Sequence, residues 1–118
     1  MRKSPWAELM ANVRKSRPGA NPKKVLRTKV NVTEDDLRAQ FKKQKGRCYW
    51  LGIKLTPKDI FKSYYPLAMS VDRLDNDKGY TPDNIVITCR FANLGRGRCT
   101  VKEFKKIIKK IKGMVKYE

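Results

Sequence analysis

Residues 68–98 carry a pattern that few architectures accommodate: two short strand-like segments, a connecting loop dense in Asp, Asn and Gly, and a helix-like run directly afterwards. Residues 68–74 and 84–88 read as paired antiparallel strands. The run Asp75-Asn76-Asp77-Lys78-Gly79 between them reads as a solvated turn, because Asx side chains hydrogen-bond their own backbone and Gly accepts turn conformations. Residues 89–95 then begin a helix that closes a strand, strand, helix unit, and Gly95 and Gly97 interrupt it.

Helices are expected on both sides of this unit. Ser4 and Pro5 can open a short one, as N-cap and first helical residue, with Trp6, Leu9, Met10 and Val13 recurring on one face and Pro18-Gly19 ending it. A second runs over residues 33–45, capped by Thr33 with Asp36 three residues later. Val32 and Leu37 form a staple, Leu37 and Phe41 the inner face, and Gly46 the stop. Residues 48–55 suit a short hairpin around Gly52, and Thr56-Pro57 can open a brief helix with Ile60 and Phe61. The last helix starts at Thr100, boxed by Glu103, and runs to about Lys112 with Phe104, Ile107, Ile108 and Ile111 as its packing stripe.

Charge points to the partner. The 118 residues hold 29 Lys and Arg against 11 Asp and Glu, a formal net charge of +18, and no histidine. Such an excess on a single small domain implies a polyanion, with nucleic acid the first candidate. Membrane binding is not expected: it would want a basic amphipathic helix with a broad apolar face or a lipidation signal, and no apolar run approaches the about 18 residues of a spanning helix. No apolar signal-peptide core follows Met1, and the three cysteines, an odd number without a disulfide framework, agree with an intracellular, reducing setting. Residues 1–32 carry nine basic side chains against Glu8 alone and form an arm suited to tethering. Tyr64 and Tyr65 have two readings, stacking on unpaired bases or packing beside Pro66 and Leu67.

Several motifs in order resemble the HNH endonuclease family. Cys48-Tyr49-Trp50-Leu51-Gly52 is similar to the family's Cys-x-x-Cys-Gly with leucine at the second thiol position, and Cys89-Arg90-Phe91-Ala92-Asn93 to its second pair, again with one thiol. Asp72-Arg73 stands where the family has Asp-His, and Asn84, after Gly79-Tyr80-Thr81-Pro82-Asp83, matches its central asparagine. The resemblance implies Asp72 and Asn93 as metal-facing residues for Mg²⁺ or another divalent ion, Asn84 as the loop's organiser, and Arg96 where a lysine often faces phosphate.

The departures are chemical. Active relatives use a metal for Lewis-acid stabilisation and a histidine as base. Arg73 takes the base position, and a guanidinium stays protonated. Substituting His there would restore the base, whereas Asp75, Asp77 and Tyr80 are rescue candidates without a recognised spacing. A structural zinc site needs four thiolate or imidazole ligands, and Cys48, Cys89 and Cys99 cannot supply them, so zinc is not expected. Leu51, Ala92, Trp50 and Phe91 would fill the space as an apolar plug.

The resulting expectation is an α+β fold: a small HNH-like ββα-metal core over residues 33–99, flanked by helices, with a basic arm at 1–32 and a basic amphipathic helix at 100–118 packing on the core. The expected function is nucleic-acid binding, RNA or DNA, with catalysis lost and a nucleoprotein assembly such as a ribosome, with its other proteins, as the setting. The alternative is an active metal-dependent endonuclease hydrolysing DNA. Expected phosphate contacts are Arg90, Arg96 and Arg98, the cluster Lys42, Lys43, Lys45 and Arg47, and the arm residues Arg14, Lys15, Arg17, Lys23 and Lys24.

Overall fold

The computed structural model describes residues 3–15 and 29–114. They form an α+β domain in which four helices surround one two-stranded antiparallel sheet. The order is α1 (Pro5–Arg14), α2 (Glu34–Lys43), a 3₁₀ turn (Pro57–Phe61), β1 (Met69–Arg73), β2 (Ile85–Cys89), α3 (Arg90–Arg96) and α4 (Val101–Met114). The strands pair in register from Met69 opposite Cys89 to Arg73 opposite Ile85, and α3 starts at the residue after β2.

Local chemistry sets the helix starts. Ser4 Oγ accepts from the Ala7 amide at 3.0 Å with Pro5 behind it, relieving one of the orphan donors of α1. Thr33 and Asp36 close a reciprocal capping box at the head of α2, at 2.9 and 3.3 Å. Thr100 and Glu103 do the same for α4, at 2.9 and 3.1 Å. Glu103 is held below its ordinary pKa by those bonds.

α1 is part of the core and does not stand off as an arm. Leu9, Met10 and Val13 are buried with Leu37, Met69, Ile85 and Ile87, and Trp6 packs edge-on against Phe41 of α2 with ring centroids 5.1 Å apart. Residues 29–31 continue that integration: Val30 bridges Tyr80 in parallel, and the Asn31 and Tyr80 amides each donate at 2.7 Å to the Tyr80 and Lys29 carbonyls. The expected end of α1 at Pro18-Gly19, and Arg17, Lys23 and Lys24, lie outside the described residues; α1 itself stops at Arg14.

Two expectations change in detail. Residues 48–55 form a tight turn around Gly52 with a single bridge, Arg47 to Lys54, and no named strand. Gly52 takes φ 74°, and the Cys48 amide donates to the Ile53 carbonyl at 2.8 Å. Among the described side chains of α4, Phe104 and Ile108 are buried, whereas Ile107 and Ile111 stay 38% and 44% exposed. The packing stripe is therefore narrower than the sequence suggests, because α4 meets the core chiefly through the Phe104 ring, 5.0 Å from that of Trp50.

Candidate functional site

β1 ends in Asp72 and Arg73, and α3 lies against that end. Asn93 and Arg96, three residues apart on α3, share the face turned to β1. Asn93 Nδ2 donates to Ser70 Oγ at 2.8 Å and to the Val71 carbonyl at 3.2 Å. Arg96 reaches further along the strand: Nη1 pairs with Asp72 Oδ1 at 2.9 Å and also meets the Arg73 carbonyl, and Nη2 donates to the Leu74 carbonyl at 2.6 Å. Its Nε donates to the Cys99 carbonyl at 3.1 Å, and its guanidinium carbon lies 5.2 Å from the centroid of the Trp50 ring.

Arg96 is 1% exposed. The expectation that it faces phosphate is corrected: its donors are spent on one buried carboxylate and three main-chain oxygens. Gly97, in a positive-φ conformation at 52°, ends α3 and turns the chain so that the Cys99 carbonyl returns to the guanidinium.

Asp72 is 6% exposed, and its second oxygen accepts from Trp50 Nε1 at 2.8 Å. Both carboxylate oxygens are thus engaged, one by an indole and one by a guanidinium. Arg96 and Trp50 therefore crowd Asp72, and Asn93, the other residue that the resemblance implies faces a metal, is held by its amide nitrogen against β1. Among the described residues no group of three or more His, Cys, Asp or Glu side chains converges as ligands would.

Arg73 stacks over Tyr80, 5.3 Å from its centroid, and donates to the Asn76 and Lys78 carbonyls at 3.4 and 3.2 Å. Asn84 is buried and bonds the backbone of the loop between β1 and β2. Its oxygen accepts from the Asp75 amide at 2.8 Å, and its nitrogen donates to the Asp75 and Gly79 carbonyls at 3.2 and 2.9 Å. Asp75 in turn accepts from the Asp77 amide at 2.9 Å, as an Asx turn does.

The two cysteine-bearing turns do meet. Cys48 and Cys89, both buried, lie with their sulfurs 3.9 Å apart, and Cys48 is 3.1 Å from Thr88 Oγ1. Their mutual hydrogen bond, with burial added, pushes the Cys89 thiol well above its ordinary value. The apolar plug around them is made by Ala92 and Trp50 with Leu51 half-buried; Phe91 is not part of it, standing 57% exposed on the opposite face of α3.

The basic residues divide into engaged and open ones. Arg90 donates to the Lys62 and Ile60 carbonyls, both at 3.0 Å, and so pins the 3₁₀ turn to α3 before it can meet phosphate. Arg98 is the exposed member of the expected arginine triad. Lys42, Lys43 and Lys45 are exposed around the C-terminal end of α2, and Arg47, also exposed, holds the Gly52 carbonyl at 3.0 Å. Gln44 fastens that end to β2 by bonding the Ile87 amide at 2.9 Å and its carbonyl at 2.7 Å. Arg14 and Lys15 are exposed at the end of α1.

Sequence reasoning missed Trp50 as a partner of Asp72 and Arg96 as an internal cation. Their separations of 22 and 24 residues have no periodicity to reveal them. No described helix is long and apolar enough to cross a membrane. Comparison with protein-family models, with curated proteins and with solved structures found no match to this chain.

Proposed function

We propose that this protein binds nucleic acid on a scaffold of HNH type whose phosphodiester chemistry has been lost. One observation carries the reading: the Asp72 carboxylate, which the resemblance assigns to a metal, is closed by Arg96 and Trp50 in a chain of net charge +18. A permanent cation already neutralises the carboxylate, and a second one, Arg73, stands where proton abstraction would occur. What is left open to solvent is basic. Lys42, Lys43, Lys45 and Arg98 are point charges and forks suited to a phosphate backbone, which they grip without reading sequence. A nucleoprotein assembly such as a ribosome is a setting in which that chemistry is useful.

The test incubates the purified chain with supercoiled DNA and, separately, with structured RNA, in Mg²⁺, Mn²⁺ or EDTA. Retention of both polymers without cut products is expected, with affinity falling steeply as salt rises. The log–log slope should flatten by about 0.9 for each lysine lost from the 42, 43 and 45 cluster that contacts duplex DNA. Metal-dependent nicking that disappears in Asp72→Asn would overturn the reading in favour of a working endonuclease.

A further inference from the structure

Away from Asp72, the outer face of α3 and the loop before β1 enclose an open groove of about 990 Å³, with the end of α1 as its third wall. Its walls present Phe61, Tyr64, Phe91 and Leu94, large apolar side chains that the fold leaves outside the core. Tyr64 is 98% exposed, so both faces of its ring are bare. It is also held at φ 56°, a left-handed conformation that a bulky side chain adopts at a cost. An aromatic residue that buries nothing and strains its backbone contributes nothing to this domain's stability. Such outliers gather where a ligand is met.

Charge selects the ligand. Lys15, Lys62 and Arg90 line the same groove; the carboxylate among its walls, Glu8, is paired with Lys3 at 3.4 Å, and Lys62 is paired with Asp59 at 2.9 Å while its side chain stays 61% exposed. Lys62 lies 4.8 Å from the centroid of the neighbouring Tyr65 ring, so cations and rings alternate along the wall. A polymer offering flat apolar rings and a regularly spaced negative charge matches that alternation. Duplex nucleic acid hides its base faces; an unpaired strand exposes them.

We propose that this groove binds an unpaired stretch of nucleic acid, with bases stacked on Tyr64 and Phe91 and phosphates on the Lys15 and Lys62 side. The inference rests on the nucleic-acid reading above and extends it to a second, separate surface. Stacking on aromatic side chains tolerates any base, because every base has a π face, so the groove recognises strandedness and not sequence.

The experiment uses the full chain and fluorescence anisotropy with a labelled 12-nucleotide single strand, as DNA and as RNA, beside a duplex of the same sequence. Tyr64→Gly and Phe91→Ala are each expected to weaken single-strand binding roughly 5- to 150-fold, the range for one lost stacking contact. Duplex affinity should change less than about threefold, far below a full stacking loss. Tyr64→Gly relieves the left-handed strain, so its melting temperature should equal or exceed that of the parent while binding falls. Tyr64→Trp should retain binding. Emission from a 2-aminopurine in the strand should be quenched by the parent and restored by Tyr64→Gly.

Equal losses on single strand and duplex, or none on either, would overturn the groove while leaving the broader reading in place. A parent that is dimeric in sedimentation and becomes monomeric in Phe91→Ala would assign the groove to a second copy and overturn the proposal. Tight capture of an acidic apolar peptide, competed by no nucleotide, would assign it to a protein. Failure of the parent to bind any of the three polymers would remove the nucleic-acid reading itself.

Discussion

Replacing Arg96 by Met removes the charge while keeping much of the side-chain volume, and leaves Asp72 buried with the indole of Trp50 as its remaining hydrogen-bond partner in the network. Breaking one side of a buried ion pair costs about 3–5 kcal/mol, because an uncompensated charge is left behind. The three carbonyls that Arg96 also serves lie nearer solvent and can recruit water, so they add less than their full desolvation cost. Against a total stability of roughly 5–15 kcal/mol, the variant loses about a fifth of its margin or more. At about 3–6 °C per kcal/mol for a domain between the 60–100-residue and 150–250-residue classes, the midpoint should fall by about 10–30 °C. Urea unfolding followed by circular dichroism gives the free energy. The control is Asp72→Leu combined with Arg96→Met, which deletes both charges and should be more stable than Arg96→Met alone. A loss under about 1 kcal/mol for the single variant, or a double variant whose loss is the plain sum of the two singles, would refute the argument that this pair is buried and coupled.

Asn84→Ala removes three hydrogen bonds that fix residues 75–79, and should cost about 3 kcal/mol at the usual net value per bond. Exchange of the Asp75 amide, which bonds Asn84 Oδ1, should accelerate most; an unchanged exchange rate would mean that the loop is held elsewhere. Arg73→His restores an imidazole at the family's base position, yet supercoiled DNA should stay intact with Mg²⁺ or Mn²⁺, because Asp72 remains closed by Arg96 and Trp50. Nicking by that single variant would show that Arg96 yields to metal.

Local rules were readable in this chain and long-range pairings were not. The starts of α1, α2 and α4 follow from Ser4-Pro5, Thr33 with Asp36, and Thr100 with Glu103, since caps act within three residues of themselves. The hairpin and α3 follow from the Asp/Asn/Gly loop and the apolar segments beside it. The fate of Arg96 does not. An arginine in a basic chain has a strong prior for the surface, and only tertiary structure brings it to a carboxylate 24 residues away. Tyr64 shows the same limit in reverse: its composition allows core or surface, and the left-handed backbone decides for the surface. Ile107 and Ile111 fit the helical period of α4, but periodicity says which residues share a stripe, not how wide a partner the core offers.

Arg96 also explains how the strand, strand, helix unit accommodates its buried carboxylate. A carboxylate 6% exposed needs a compensating positive charge, since an isolated buried anion costs several kcal/mol. The Arg96 guanidinium meets that need at 2.9 Å from Asp72 Oδ1. The guanidinium does so from within the chain, never dissociates, and ties α3 to the end of β1 by its further bonds to the Arg73 and Leu74 carbonyls. On this argument the charge that neutralises Asp72 is the same charge that welds the unit together. Any variant at position 96 therefore alters the packing of α3 on the hairpin along with the environment of Asp72, and its folding must be measured before its chemistry is read.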